Sequence, residues 1–313
     1  MKNALKKNVN YDIITSEKFT ERGEKMKTVA IVTDSNSGIS PEEAEKLGAY
    51  VVPMPFIIDG EIYYEGVSLT NDKFYEIQKS GTRITTSQPN INDIVALWEN
   101  ILKEYDEIVH IPMSSGLSQS CETATSFAEQ FDGRVQVVDN KRVSITMKAS
   151  VVDAVNMVKD GKNAKQIKQF LEETALQSSI YLVVDTLKYL KQGGRITPAA
   201  AAIGTVLNIK PVLQIQGGKL DQYAKVINIR SAKSKMLDAM KKDLEGRFRG
   251  LVSEGKMRLS VAHTMNDENA KEFAEEIKKT FPNVQFDYVD ALALSIATHT
   301  GPKVLAIGCN RIY

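Results

Sequence analysis

Cysteine is scarce: Cys121 and Cys309 are the only two in 313 residues. Two thiols so far apart build neither a disulfide framework nor the paired ligands of a zinc site, and they suit a reducing cytoplasm. Histidine is almost as rare, and His110, His263 and His299 stand in no H-E-x-x-H or other local pattern that marks a metal ligand or a catalytic base. A G-x-S-x-G elbow is missing, which argues against covalent serine hydrolysis. The phosphate loops G-x-x-x-x-G-K-[ST] and G-x-G-x-x-G are missing too, so no nucleotide site of its own is legible. Charge of one sign is not in excess: 40 Lys+Arg against 39 Asp+Glu leaves +1, no broad drive toward nucleic acid or anionic lipid surfaces. No apolar run approaches the roughly 20 residues of a membrane-crossing helix, and the N-terminus lacks the apolar core of a signal peptide.

What is present is the composition of an ordinary globular protein, 42% hydrophobic and 25% charged, on a chain long enough for two domains. The first 26 residues are polar and weakly periodic and read as an extension. Glu21-Arg22-Gly23-Glu24-Lys25 back-translates to a purine-rich string compatible with a ribosome-binding site ahead of Met26. A native start at Met26 and a native N-terminal arm are both open. From Lys27 onward, apolar strands alternate with amphipathic helices, the pattern of α/β layers around a largely parallel sheet. Ser40-Pro41-Glu42-Glu43 predicts a capped helix start, and Asp59-Gly60 a hairpin turn between Phe56 and Tyr64. Asn71 to Lys79 reads as a helix ended by Gly81, Thr85 to Pro89 as a loop, and Ser118 to Phe131 as a helix. A boundary is expected near residue 177. Beyond it, six strands, helices at Ala199 to Leu207, Ser231 to Leu251 and Glu268 to Thr280, and a Gly217-Gly218 hairpin predict a mixed α+β unit.

Ligands of open α/β sheets bind beyond the carboxyl ends of strands, where helix N-termini offer free amides. Three hydroxyl-rich segments lie at such ends: Thr33-Asp34-Ser35, Thr86-Ser87-Gln88-Pro89 and Ser114-Ser115-Gly116-Leu117-Ser118. Any one alone is a set of helix caps and Ser/Thr turns. Three together favour a site for a compact anion, a carboxylate or a phosphate. Asp34 and Asp139, also at strand ends, read as caps in preference to cation ligands.

These motifs, followed by Val138-Asp139, by the run Asp185-Thr186-Leu187-Lys188-Tyr189-Leu190-Lys191-Gln192-Gly193-Gly194-Arg195-Ile196, by Lys210-Pro211-Val212-Leu213 and by His299-Thr300-Gly301-Pro302, form an ordered series. It resembles the DegV family, fatty-acid-binding proteins that serve bacterial fatty acid kinase, from about Lys27 to Asn310. The resemblance implies an α/β, two-domain DegV-like fold. An N-terminal largely parallel α/β domain (27–177) and a C-terminal mixed α+β domain (178–313) would have a ligand tunnel between or beside them. It further implies a long-chain, palmitate-like fatty acid as ligand, with no cofactor and no metal. Thr86 and Ser118 would hold the carboxylate, with Ser115 as fallback beside Gly116, and Arg195, His299 and Ser35 would lie near the head group or on a kinase-facing surface. The implied partner is the catalytic subunit of a fatty acid kinase, which would bring nucleotide and metal and form the acyl phosphate, so the chain is not an enzyme alone. Two departures stand out: Gln119-Ser120-Cys121 replaces the usual Gly-Thr-aromatic, and Lys303 replaces a common second glycine. Ala199-Ala200-Ala201-Ala202-Ile203 and Val206-Leu207 serve either as tunnel lining or as a close helix contact. An enzyme acting on a small anionic carboxylate or phosphate metabolite is the alternative function.

Overall fold

The computed structural model describes residues 28–202 and 209–313. The expectations for the first 26 residues, for a start at Met26, and for Ile203, Val206 and Leu207 lie outside them.

β1 (Val29–Asp34) is buried along its whole length, as a strand flanked by parallel neighbours must be. It pairs in parallel with β2 (Ala49–Val52) and β6 (Glu107–Ile111), and β6 pairs likewise with β7 (Val135–Val137), in the order β2-β1-β6-β7. β3 (Pro55–Ile58), β4 (Glu61–Tyr64) and β5 (Ile84–Thr86) form a small antiparallel sheet. The β3–β4 turn is Asp59-Gly60, both at positive φ as a tight hairpin requires. β8 (Ser178–Val183), β9 (Lys210–Ile215), β10 (Asp221–Val226), β11 (Met257–His263), β12 (Gln285–Ala291) and β13 (Leu305–Arg311) make a six-stranded mixed sheet, ordered β10-β9-β8-β13-β11-β12. Only its β11–β12 pair is parallel.

Local chemistry explains many helix ends. α1 (Pro41–Leu47) has the Ser40/Glu43 capping box and proline in its first turn, and α2 (Asn71–Ser80) stops at left-handed Gly81. α3 (Ile91–Ile101) and α4 (Ser120–Ala128) cover one face of the parallel sheet, meeting Ala30, Val32 and Ile108. α5 (Ser144–Lys159) and α6 (Ala164–Glu173) cover the other, meeting Val29, Ile31, Val109 and Ile111.

α5 is buried almost all round because it contacts β1 on one side and β11 and β13 on the other. Its buried charged residues, Lys148 and Asp153, are therefore paired. Lys148 bridges Glu43 at 2.7 Å and Asp290 at 2.8 Å, and Asp153 pairs with Arg258 of β11. A buried pair of this kind does little for net stability but punishes any arrangement that separates the partners.

Period-two alternation sorts the six-stranded sheet into two surfaces. Tyr181, Val183, Val212, Val261 and Ile307 pack against α9 (Ile229–Glu245) and α11 (Asp267–Thr280). Ile180, Leu182, Leu213, Ala262 and Ala306 face the opposite way, toward Ile145 at the start of α5, Leu190 of α7 (Lys188–Gly193) and Ala200 of α8 (Pro198–Ala201).

Three expectations are corrected. Thr85 and Thr86 belong to β5, because the β-branched run Ile84-Thr85-Thr86 pairs with the free edge of β3. The single helix expected over Ser231 to Leu251 is broken at Gly246, whose φ of −98° and ψ of −105° end α9, and α10 (Arg249–Ser253) follows. The helix expected from Ser118 starts at Ser120. Two short helices were not anticipated, α7 and α12 (Leu294–Thr300).

Candidate functional site

A cavity opens on the inner surface of the six-stranded sheet. Its apolar wall includes Ile180, Leu182, Ile215, Ala262 and Ala306 from that sheet, with Val143 and Ile145 at the start of α5. Ala262 and Ala306 are cross-strand partners, and Ala306 also pairs with Leu182. Small side chains at the sheet centre leave room that larger ones would fill.

The polar wall gathers residues from six distant segments. Thr86 closes β5, and its Oγ1 lies 2.9 Å from Nε2 of His299 on α12. Glu65 anchors α12 by accepting the Leu294 amide at 2.9 Å. Burial pushes that carboxyl up to about 7. α12 and α7 approach closely because glycine stands at both contacts. A Cβ on Gly301 would sit 2.4 Å from the Tyr189 ring, and one on Gly193 would sit 2.1 Å from His299 Nδ1. The imidazole is thus held between the Gly193 backbone and the Thr86 hydroxyl. Burial first, and the neighbouring Arg195 cation second, push His299 down to about 4, so it is neutral at pH 7.

Gly194, in the left-handed conformation, ends α7 and turns the chain into Arg195. The Arg195 guanidinium donates to the Leu117 carbonyl at 3.3 Å and to the Gly193 carbonyl. It is half-buried and lines the cavity with Ser118, Gln88 and Thr86. Ser118 Oγ accepts the Ser120 amide at 3.2 Å.

The structure therefore brings Thr86, Ser118, Arg195 and His299 to one cavity. The other sequence candidates stand outside its wall. Ser115 Oγ donates to Asp139 at 2.6 Å, and Lys141 Nζ reaches both groups, which holds the Asp139 carboxyl below its ordinary range. Gly116 is where the serine loop touches the β9–β10 hairpin, since a Cβ there would lie 2.7 Å from the Gly217 carbonyl oxygen. Ser35 accepts the Met54 amide at 3.1 Å and faces a separate cleft. Asp34, buried, accepts from Asn36 and from the Met113 amide.

Both departures in sequence fall away from the cavity. Cys121 is buried against the parallel sheet, and Lys303 is an exposed turn residue at φ 60°, a conformation that favours glycine. Asn36, Ser144 and Ser295 also line the cavity and were not singled out from sequence. A serine at a helix start was the only available signal for Ser144. Among the described residues no group of three His, Cys, Asp or Glu side chains is arranged to hold a metal ion, and no helix is long and apolar enough to cross a membrane.

The family model for DegV proteins matches residues 28–311. The chain belongs to the DegV family. Protein DegV of Bacillus subtilis is 31% identical over 284 residues, covering 89% of this chain and 98% of its own. A DegV domain-containing protein of Deinococcus radiodurans is 31% identical over 284 residues, covering 90% and 97%. Among solved structures, a fatty-acid-binding DegV family protein from Thermus thermophilus superposes with a TM-score of 0.83 at 28% identity, covering 91% of this chain and all of its own. The B. subtilis fatty-acid-binding DegV gives 0.78 at 29%, covering 91% and 99%. A stearic-acid-binding protein from Eubacterium ventriosum gives 0.81 at 27%, covering 90% and 98%. This DegV family chain thus shares its fold with proteins that bind fatty acids.

Proposed function

We propose that the protein binds a long-chain fatty acid in this cavity, with the carboxylate at Thr86 and Ser118, and presents it to the catalytic subunit of a fatty acid kinase. The observation that carries the reading is the cavity's division into an extended apolar wall and a polar wall of hydroxyls with one guanidinium. The lipid-binding relatives support it. Burying about 14 methylenes at about 0.8 kcal/mol each offers roughly 11 kcal/mol before ordering costs, enough for tight binding without a covalent bond or a metal. A small polar metabolite would leave most of the apolar wall facing water.

The head group needs donors to replace its hydration, and two hydroxyls beside a cation supply them. Arg195 then stands where phosphate charge would develop on the carboxylate oxygen, while nucleotide and metal come from the partner. In this reading the chain divides near residue 177 and works in the cytoplasm. Native mass spectrometry of protein purified from bacterial cytosol tests the binding step. A bound long-chain fatty acid is expected, and a compact polar metabolite in its place would overturn the proposal.

A further inference from the structure

Ser144 shares the cavity wall with Val143 and Ile145. It is 7% exposed, and among the described residues its hydroxyl has no hydrogen-bond partner. Other hydroxyls in the same wall are occupied. Ser118 takes the Ser120 amide, Ser295 donates to Asn36, and Thr300 donates to the Ile296 carbonyl.

Ser144 also opens α5, a helix of 16 residues whose N-cap is Val143. Among the described residues no side chain caps that end, and its first turn contains no acidic residue. First-turn amides have no partner inside a helix and carry the positive end of its dipole, so they seek an acceptor. Water serves exposed helix ends, but this one is turned to a largely apolar cavity.

We propose that Ser144 and the first turn of α5 form a second polar station, which takes an oxygen carried along the acyl chain. The ligand class then includes long-chain fatty acids hydroxylated or oxidised to a ketone away from the carboxylate. The inference rests on fatty acid binding in this cavity. A carboxylate fits the station less well than a chain oxygen, because Val143, Ile145, Ile180 and Leu182 line the same wall and, among the described residues, its only arginine lies with Thr86 and Ser118.

The test uses the full chain stripped of lipid, with stearic acid and its 2-, 6-, 10- and 12-hydroxy derivatives as probes in a direct binding titration. A hydroxyl forced into an unbroken apolar tunnel weakens binding by about 10- to 100-fold. With the station, one positional isomer binds within about threefold of stearic acid or more tightly, while the others lose that larger factor. Ser144→Ala lowers the favoured isomer's affinity about tenfold more than it lowers that of stearic acid. Ser144 has a φ of 53°, so Ser144→Gly, which removes the hydroxyl without strain at that φ, must act the same way. Uniform weakening of every hydroxystearate in the wild type overturns the station, as does an equal loss of stearic acid in the variants. Failure of stearic acid itself to bind the wild type would sink the fatty acid reading along with it.

Discussion

Thr86 and His299 stand 213 residues apart in the chain and meet at 2.9 Å, hydroxyl to imidazole. Burial and the Arg195 cation keep His299 neutral at pH 7, so one ring nitrogen is free of its proton. The pair joins the last residue of β5 to a short helix held by Glu65 and seated against α7.

Replacing both head-group hydroxyls, by Thr86→Val with Ser118→Ala, removes two donors and leaves the apolar wall intact. Fatty acid affinity is expected to fall by about 2 to 5 kcal/mol with the fold retained. Isothermal titration beside a thermal melt checks this, and undiminished lipid content would put the carboxylate elsewhere.

His299 has a folded pKa below its unfolded value, so its neutral form is favoured by folding. The resulting stability is complete above about pH 6.5 and is lost as pH falls toward about 4. His110 shifts in the same direction through burial, and His299→Gln isolates the contribution of His299. Denaturant melts at pH 7 and pH 4 should show a smaller pH loss in the variant than in the wild type. In Arg195→Ala the His299 pKa, read by NMR titration, should rise.

Glu65 gives the opposite slope. Its folded pKa, raised to about 7, means that its stability contribution is complete below about pH 4.5 and is lost as pH rises through 7. Glu65→Gln keeps an acceptor for the Leu294 amide without the buried charge. The variant should therefore lose less stability than the wild type between pH 5 and pH 8, and identical slopes would remove Glu65 from this account.

Gly193→Ala places a methyl carbon 2.1 Å from where His299 Nδ1 now lies. The imidazole must move off Thr86 or α7 must move off α12, at a cost of about 1 to 3 kcal/mol. The melting temperature should drop and lipid binding weaken, and adding His299→Ala should recover part of the stability. No recovery would mean that the clash lies elsewhere.

Arg195→Ala separates binding from presentation. The acyl chain supplies most of the burial, so lipid should be retained in large part. Acyl phosphate formation with purified kinase and ATP should fall at least about tenfold, the effect of losing a contact of about 1.4 kcal/mol. Rates equal to wild type would exclude Arg195 from the transfer step.

The sequence by itself determined what depends on neighbours in the chain. The Ser40–Glu43 capping box, the Asp59-Gly60 turn, the stop at Gly81 and the buried run of β1 follow from local hydrogen bonding, backbone sterics and periodicity. The ordered motifs likewise carried the family and four residues that now share a cavity. Tertiary structure decided the rest. Leu294-Ser295-Ile296-Ala297-Thr298-His299-Thr300 has weak helical propensity, and it is helical where Glu65 anchors one end and the α7 contact holds the other. Ser144, Ser115 and Ser118 are alike as serines near helix starts, yet one is a hydroxyl in the cavity wall with no partner among the described residues, one is tied to Asp139 and Lys141, and one is in the wall beside Thr86. Which hydroxyl meets a ligand depends on where α5 is trapped between two sheets, and that follows from long-range packing and ion pairs such as those of buried Lys148 with Glu43 and Asp290, whose partners lie more than 100 residues away.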